Sequence, residues 1–508
     1  MEAPDVSKMR TPLFSARKRL FIASLLFAFL FPGLNWKQAA DCALLLLLFN
    51  TLILPWLEVD VSKHPGFGRG MGAAGPGFSQ PPLGAPLNKG GGNCIPSAHT
   101  YPAPSVSTWT GIVLYPISVL VLIGLYRNHL HIAAATWAIM ALGDGMATVV
   151  GEGLTSSWRD TIAATSSWRG KLAATLPWNR QKTWPGFISF AVAGTVGAYI
   201  LTRWIAPEIP PHRTLMVCIA ASLLGAVIES IPTPLDDNLT VPLVVGAFMF
   251  CAFLVERSAL DSNLPYLGRR IFLAVAVNLA FALFACALKA ASRSGAVCGF
   301  FLGTAIYLGY GYKSFLLLFA FVLLGSVATR LGFSKKAARG VAERRGGARS
   351  WREALANLLA AAFFALLVIT THHEAAFLIA LVAALAEAAG DTVSSEIGQW
   401  TSNRAYLITT FEAVPAGEDG GISLGGTAAG FAASAMIMGL GLGLGLCGPY
   451  RFAGPAIALG AALAGNLFDS FLGAAIQRRG LVTNGIVNFA GTSFAGALAL
   501  GLALSLGL

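Results

Sequence analysis

The sequence predicts an all-α polytopic membrane protein with about fifteen transmembrane helices in two diverged halves of parallel orientation. Three observations carry this. The 508 residues are 55% hydrophobic and only 12% charged, with a mean hydropathy of +0.67, which leaves too little polar surface to clothe water-soluble domains. Apolar stretches long enough to cross about 30 Å of hydrocarbon recur along the whole chain. One ordered set of polar landmarks then appears twice.

The expected spans are 20–35, 40–56, 109–126, 132–150, 185–206, 214–231, 239–255, 270–290, 294–312, 314–330, 354–371, 374–392, 422–447, 452–476 and 485–507. They divide the chain into N-terminal membrane helices (1–56), a Gly/Pro-rich loop (57–108), a first membrane domain (109–265) and a second (270–508). The basic residues before the first span suit an uncleaved first helix, since no small-residue cleavage pattern follows. With the N-terminus cytoplasmic, 26 of the 35 Lys and Arg fall in cytoplasmic segments. That asymmetry is the positive-inside pattern, so the net charge of +11 reports topology and implies no nucleic-acid partner. Among the seven cysteines there is no CxxC pair, which argues against a disulfide framework or a zinc site. Nothing in the sequence sets an oligomeric state.

Two repeats are visible. A tandem decamer, Thr155 to Arg159 and again Thr165 to Arg169, reads as a local duplication in a surface loop. The larger one aligns Gly143-Asp144 with Gly390-Asp391, each followed by a second glycine at the same offset. Next come Gly186 to Ser189 against Gly421 to Ser423, Glu229-Ser230 against Asp469-Ser470, and Asp237-Asn238 against Asn484-Gly485. Each landmark has the same topological place in both halves, with the join near residues 257–270.

Carboxylates in membrane helices are costly unless they face a wet cavity, another charge or a metal. Here they gather at the cytoplasmic helix ends. The first half offers Asp144, Glu229, Asp236 and Asp237 beside Lys171, Asn179, Lys182 and Asn238. The second offers Asp391, Glu396 and Asp469 beside Lys336, Asn357, Asn484 and Asn488, with Gly420 and Gly421 permitting close backbone approach. Acids that can hold Mg²⁺ through oxygen, next to cations that can neutralise phosphate oxygens, are the parts that phosphoryl transfer needs. Asp144, Asp237, Asp391 and Asp469 are the candidate metal ligands, and one carboxylate per site can also accept a hydroxyl proton. The bland alternatives are solvated loop cations that only set topology and glycines that only pack helices. No GxxxxGK[ST] loop, GxSxG elbow or HExxH occurs, and His372-His373-Glu374 falls in an outside turn.

In residues 110–255, Gly143-Asp144, Leu176 to Asn179, Lys182 to Gly186, Glu229-Ser230 and the string Leu235-Asp236-Asp237-Asn238-Leu239-Thr240-Val241-Pro242 resemble the phytol kinase and dolichol kinase family. Residues 290–508 resemble the phytyl-phosphate kinase family and its membrane relatives. That resemblance is carried by Gly390 to Gly398, Tyr406 to Thr410, Gly420 to Ser423, Asp469-Ser470 and Asn484 to Asn488. Gly485 stands where an acid often follows the asparagine. The resemblances imply a fusion of two steps, in which an isoprenoid alcohol such as phytol becomes the monophosphate and then the diphosphate. The donor would be CTP or another nucleoside triphosphate with Mg²⁺, and both sites would face the cytoplasmic nucleotide pool. A cytidylyltransferase acting on a lipid phosphate and a transporter with repeated halves are the competing readings.

Overall fold

The computed structural model describes residues 24–53, 108–151, 175–233, 235–342, 347–449 and 452–508. Lys171, the Gly/Pro-rich loop before residue 108 and the tandem decamer lie outside the described residues. Among the described residues, helix falls within each of the fifteen expected spans, and eleven helices are long and apolar enough to cross a membrane. The fold is an all-α polytopic membrane architecture, with only two small sheets among the described residues. It forms two compact units, 1–246 and 247–508.

In the first unit, a 3₁₀ segment (Leu25–Gly33) is followed by α1 (Trp36–Leu48), α2 (Thr108–Leu125) and α3 (Leu130–Gly151). Asn35 starts α1 with a capping box, its side chain accepting from the amides of Lys37 and Gln38 at 3.0 Å. A hairpin of β1 (Thr175–Leu176) and β2 (Asn179–Thr183) leads into α4 (Trp184–Ile205), α5 (Pro211–Ser230) and the start of α6 (Asp237–Leu254), whose last residues belong to the second unit. Thr183 caps α4 by accepting from the Gly186 amide, with Pro185 in the first turn, where its missing N–H costs nothing.

The second unit continues with α7 (Arg257–Ala287), α8 (Arg293–Tyr310), α9 (Tyr312–Arg330), the short α10 (Phe333–Ala338), α11 (Trp351–Thr370) and α12 (Glu374–Thr401). Residues 257–270, expected to join the two halves, are continuous helix inside α7, where Arg257 and Asp261 pair one turn apart at 3.6 Å. A three-stranded antiparallel sheet, ordered β4 (Ala413–Pro415), β3 (Arg404–Leu407), β5 (Gly421–Ile422), precedes α13 (Leu424–Gly443), α14 (Ala453–Leu472) and α15 (Asn484–Ser505). α12 is the axis of this unit and packs against α9, α11, α13, α14 and α15. Its run of alanines from Ala380 to Ala389 is buried throughout, because small side chains let five helices approach one. The one charged group within that run, Glu387, is therefore forced inside.

Candidate functional site

α12 carries two carboxylates one turn apart, Glu387 and Asp391, and α14 brings Asp469 to the same region. Glu387 is 1% exposed, and neither of its oxygens has a hydrogen-bond partner. Asp469 Oδ2 is likewise buried without a partner. A Cβ placed on Gly491 of α15 would lie 2.5 Å from Glu387 Oε1 and 3.3 Å from Asp469 Oδ2, so the two oxygens crowd the same spot over a bare backbone. Orphaned buried carboxylate oxygens are expensive, and either a proton or a cation can offset them.

Asp391 and Asp469 open onto a polar cavity of about 270 Å³. Its lining also includes Arg349, Asp419, Gly420, Gly421, Gln477, Asn484 and Asn488. Asn488 donates to Asp391 Oδ2 at 3.5 Å and to Asn357 Oδ1 at 3.3 Å, which ties α15 to α12 and α11. Gln477 donates to Asp419 at 2.7 Å and to Asn484 at 3.4 Å. Burial, and then the neighbouring Glu418, push the Asp419 carboxyl above its ordinary range. Gly420 has φ +72°, and a Cβ there would sit 2.1 Å from the Ala474 amide nitrogen. Only glycine allows both that conformation and that approach, and the result is a cavity wall of bare backbone.

Lys336 and Glu396 are placed elsewhere. Lys336 is fully buried and donates to Glu396 Oε2 at 2.6 Å and to the carbonyls of Thr329 and Ala328 at 2.9 and 3.2 Å. The other Glu396 oxygen accepts from the Thr329 hydroxyl at 2.7 Å. Their charges are spent mainly on each other and on α9, with Arg349 also 3.8 Å from Glu396, and neither residue lines the cavity. Sequence reasoning passed over Glu387 and Arg349. Glu387 had a signal, since it is the one charge in a long alanine-rich run and lies one turn before Asp391. Arg349 had none to separate it from the other cations of its loop.

In the first unit, Lys182 on β2 makes an ion pair and a hydrogen bond with Glu229 at the end of α5. Burial works against its charge, but Glu229, and after it Asp237 and Asp144, hold the ammonium above its ordinary value. Asp236 starts α6, its side chain accepting from the Asn238 amide at 2.9 Å and from the Asn238 side chain at 2.7 Å. Asn179 is nearly buried and fully engaged, donating to the Ser230 carbonyl and accepting from the Gln181 amide, each at 3.0 Å. Asp144, Lys182, Glu229, Asp236 and Asp237 thus form one charged group, with Asn179 and Asn238 as its local braces.

Among the described residues, no group of three or more His, Cys, Asp or Glu side chains is arranged to hold a metal on its own.

Fold and site together define a polytopic membrane protein in which acids from separate helices meet at a polar cavity within its second unit. The integral membrane protein DUF92 model matches residues 276–504, and the chain belongs to that family. Protein VTE6, chloroplastic, of Arabidopsis thaliana is 35% identical over 216 residues, which covers 41% of this chain and 64% of that protein. An uncharacterized membrane protein of Synechocystis is 34% identical over 206 residues, 40% of this chain and 78% of the relative. Another, of Methanocaldococcus jannaschii, is 33% identical over 232 residues, 45% of this chain and 92% of the relative. No solved structure matches the chain.

Proposed function

We propose that the second unit transfers the terminal phosphoryl group of a nucleoside triphosphate, in the first instance CTP, to an isoprenoid monophosphate such as phytyl phosphate. The first unit, on the same reading, phosphorylates the parent alcohol. The observation that carries the proposal is the meeting of Asp391 and Asp469 with a glycine wall and amide donors in one polar cavity. The resemblance of residues 290–508 to the phytyl-phosphate kinase family and the similarity to Protein VTE6 support the substrate class. The excess of Lys and Arg on one side supports cytoplasmic sites.

Phosphate monoesters lose their second proton near pH 6, so the acceptor oxygen reaches the second unit already anionic. The bond from that oxygen to the γ-phosphorus forms as the bond to the bridging oxygen breaks, and the nucleoside diphosphate leaves. No side chain has to take a proton. Asp391 and Asp469 would hold Mg²⁺, which would neutralise triphosphate oxygens. Gly420 and Gly421 let the phosphates approach the backbone, and Gln477, Asn484 and Asn488 offer donors. In the first unit the acceptor is a hydroxyl whose proton must go to a carboxylate. Asp237, in the electrostatic field of Lys182, is assigned that role.

The test is purified protein in lipid nanodiscs with γ-labelled CTP and either phytol or phytyl phosphate. Asp391→Asn should abolish diphosphate formation and keep monophosphate formation, with Asp237→Asn the converse. Loss of both activities in either variant would refute independent sites. A CMP-linked lipid with release of pyrophosphate would point to a cytidylyltransferase, and no nucleotide consumption would leave the transporter.

A further inference from the structure

A second, apolar crevice of about 100 Å³ lies in the same unit and shares two lining residues with the polar cavity, Arg349 and Thr392. Its walls come from α7 (Phe281, Ala285), α8 (Ala296, Gly299), α9 (Leu318, Phe321) and the start of α11. Along α9 it runs from Ser326 to Leu318, about 12 Å of helix. The faces of α7 and α8 beside it carry exposed Phe284, Val297 and Phe301, the signature of contact with acyl chains on a membrane helix.

We infer that this crevice is the binding site for the head-proximal part of the prenyl chain, with Arg349 at its mouth taking the monophosphate of the acceptor lipid. The inference deepens the kinase reading of the second unit and rests on it for the identity of the lipid. A single-chain lipid phosphate needs an apolar slot one chain wide, a cation where the slot ends, and phosphoryl donor chemistry just beyond. Those three stand in that order along α9, Arg349 and the acid cavity.

Arg349 is held for the task from both sides. Its amide donates to the Ala290 carbonyl at 3.0 Å, and its carbonyl accepts from the Ser292 amide at 2.9 Å. A Cβ on Gly295 would lie 2.1 Å from that carbonyl oxygen, so the loop can approach α8 only because residue 295 is glycine. The guanidinium lies 3.3 Å from the Thr329 hydroxyl and 3.8 Å from both Glu353 and Glu396. Glu353 is also bound to the Ser350 amide and Glu396 to Lys336, so neither acid is wholly committed to the arginine. The guanidinium also lines the polar cavity, so a phosphate entering there would compete with these acids for its planar face of donors.

Gly299 gives the means to close the slot without disturbing its walls. It lines the crevice, and a Cβ there would meet no atom within 4 Å. The experiment uses the full chain in nanodiscs, assayed with C20 phytyl phosphate and C5 dimethylallyl phosphate. A photoreactive C20 prenyl monophosphate is cross-linked in parallel and its attachment sites mapped by mass spectrometry. In Gly299→Leu the ratio of kcat/KM for C20 over C5 should fall ten-fold or more, through KM for the lipid. Cross-links in the unsubstituted protein should map to α8, α9 and the start of α11, and Gly299→Leu should lose them. Arg349→Ala should lower kcat/KM for both chain lengths alike, with Arg349→Lys recovering only part. An unchanged C20 to C5 ratio, or cross-links confined to other helices, overturns the crevice. If the unsubstituted protein phosphorylates neither lipid, the kinase reading fails, and the cross-linking pattern still decides where the chain lies.

Discussion

The two units begin from the same local design and settle their buried charge differently. In each, a Gly-Asp pair on one helix is followed seven residues later by a glycine that packs on the capping hydroxyl of the next helix. Gly151 meets Thr183 and Gly186 in the first unit, and Gly398 meets Ser423 and Gly426 in the second. A glycine four residues before an acid then recurs as Gly225 with Glu229 and Gly465 with Asp469. Each unit also has a Lys–Glu pair with a buried glutamate. In the first, Lys182 stands among the acids and neutralises one of them. In the second, the pair of Lys336 and Glu396 stands off the cavity, and Glu387 and Asp469 keep orphaned oxygens. One turn before the Asp of its Gly-Asp pair, the first unit has the buried Met140 where the second has Glu387. The same scaffold thus holds an internal ammonium in one unit and leaves carboxylate oxygens without a partner in the other.

The largest effect that tests this contrast is expected at Lys336. Lys336→Met leaves the buried Glu396 with only the Thr329 hydroxyl and Arg349 at 3.8 Å, which should cost about 3 kcal/mol of stability. The loss would appear as a sharp drop in the melting temperature of the solubilised protein, with Lys336→Met/Glu396→Gln recovering most of it. A folded Lys336→Met with only a raised nucleotide KM would put this pair in the site and break the comparison. Lys182→Met should do less, because its side chain is 36% exposed and solvent screens the pair. We expect about 1–2 kcal/mol, relieved by adding Glu229→Gln. Phosphorylation of the alcohol should be lost in the single variant while that of the monophosphate continues.

Much of this was legible in the sequence, since hydropathy reports lipid contact directly and intramembrane acids are too costly to be incidental. The spans, the all-α class and the gathering of Asp391, Asp469, Asn484 and Asn488 at one cavity followed from those two facts. The register of the repeat did not. Matching Gly186 to Ser189 with Gly421 to Ser423 follows letters, whereas the structure pairs Thr183 and Gly186 with Ser423 and Gly426, because cap geometry fixes a hydroxyl three residues before a glycine amide. The sequence also could not separate a cation that neutralises a buried partner from one that faces a cavity. Lys336 and Arg349 are alike in composition and loop, and only the fold of α9 and α11 around them sends one inward and leaves the other at the cavity edge.

The smallest expected effect is the sharpest test of the contrast, because its sign is unusual. Glu387 lies near Asp391 and Asp469, and its two oxygens find no donor, so ionising it opposes folding unless a cation is present. Glu387→Gln keeps the shape and removes the charge. Without divalent cations it should therefore be more stable than the unsubstituted protein, by about 1 kcal/mol. Binding to the native state alone raises stability in proportion to the logarithm of ligand concentration over Kd, so Mg²⁺ or Mn²⁺ should raise the melting temperature of the unsubstituted protein. The same titration should raise that of Glu387→Gln by much less. Glu387→Met, which installs the first unit's residue, should behave like Glu387→Gln. If Glu387→Gln is instead destabilised without cations, then the carboxylate is already compensated within the unit, and the two units do not differ in the way their buried charges suggest.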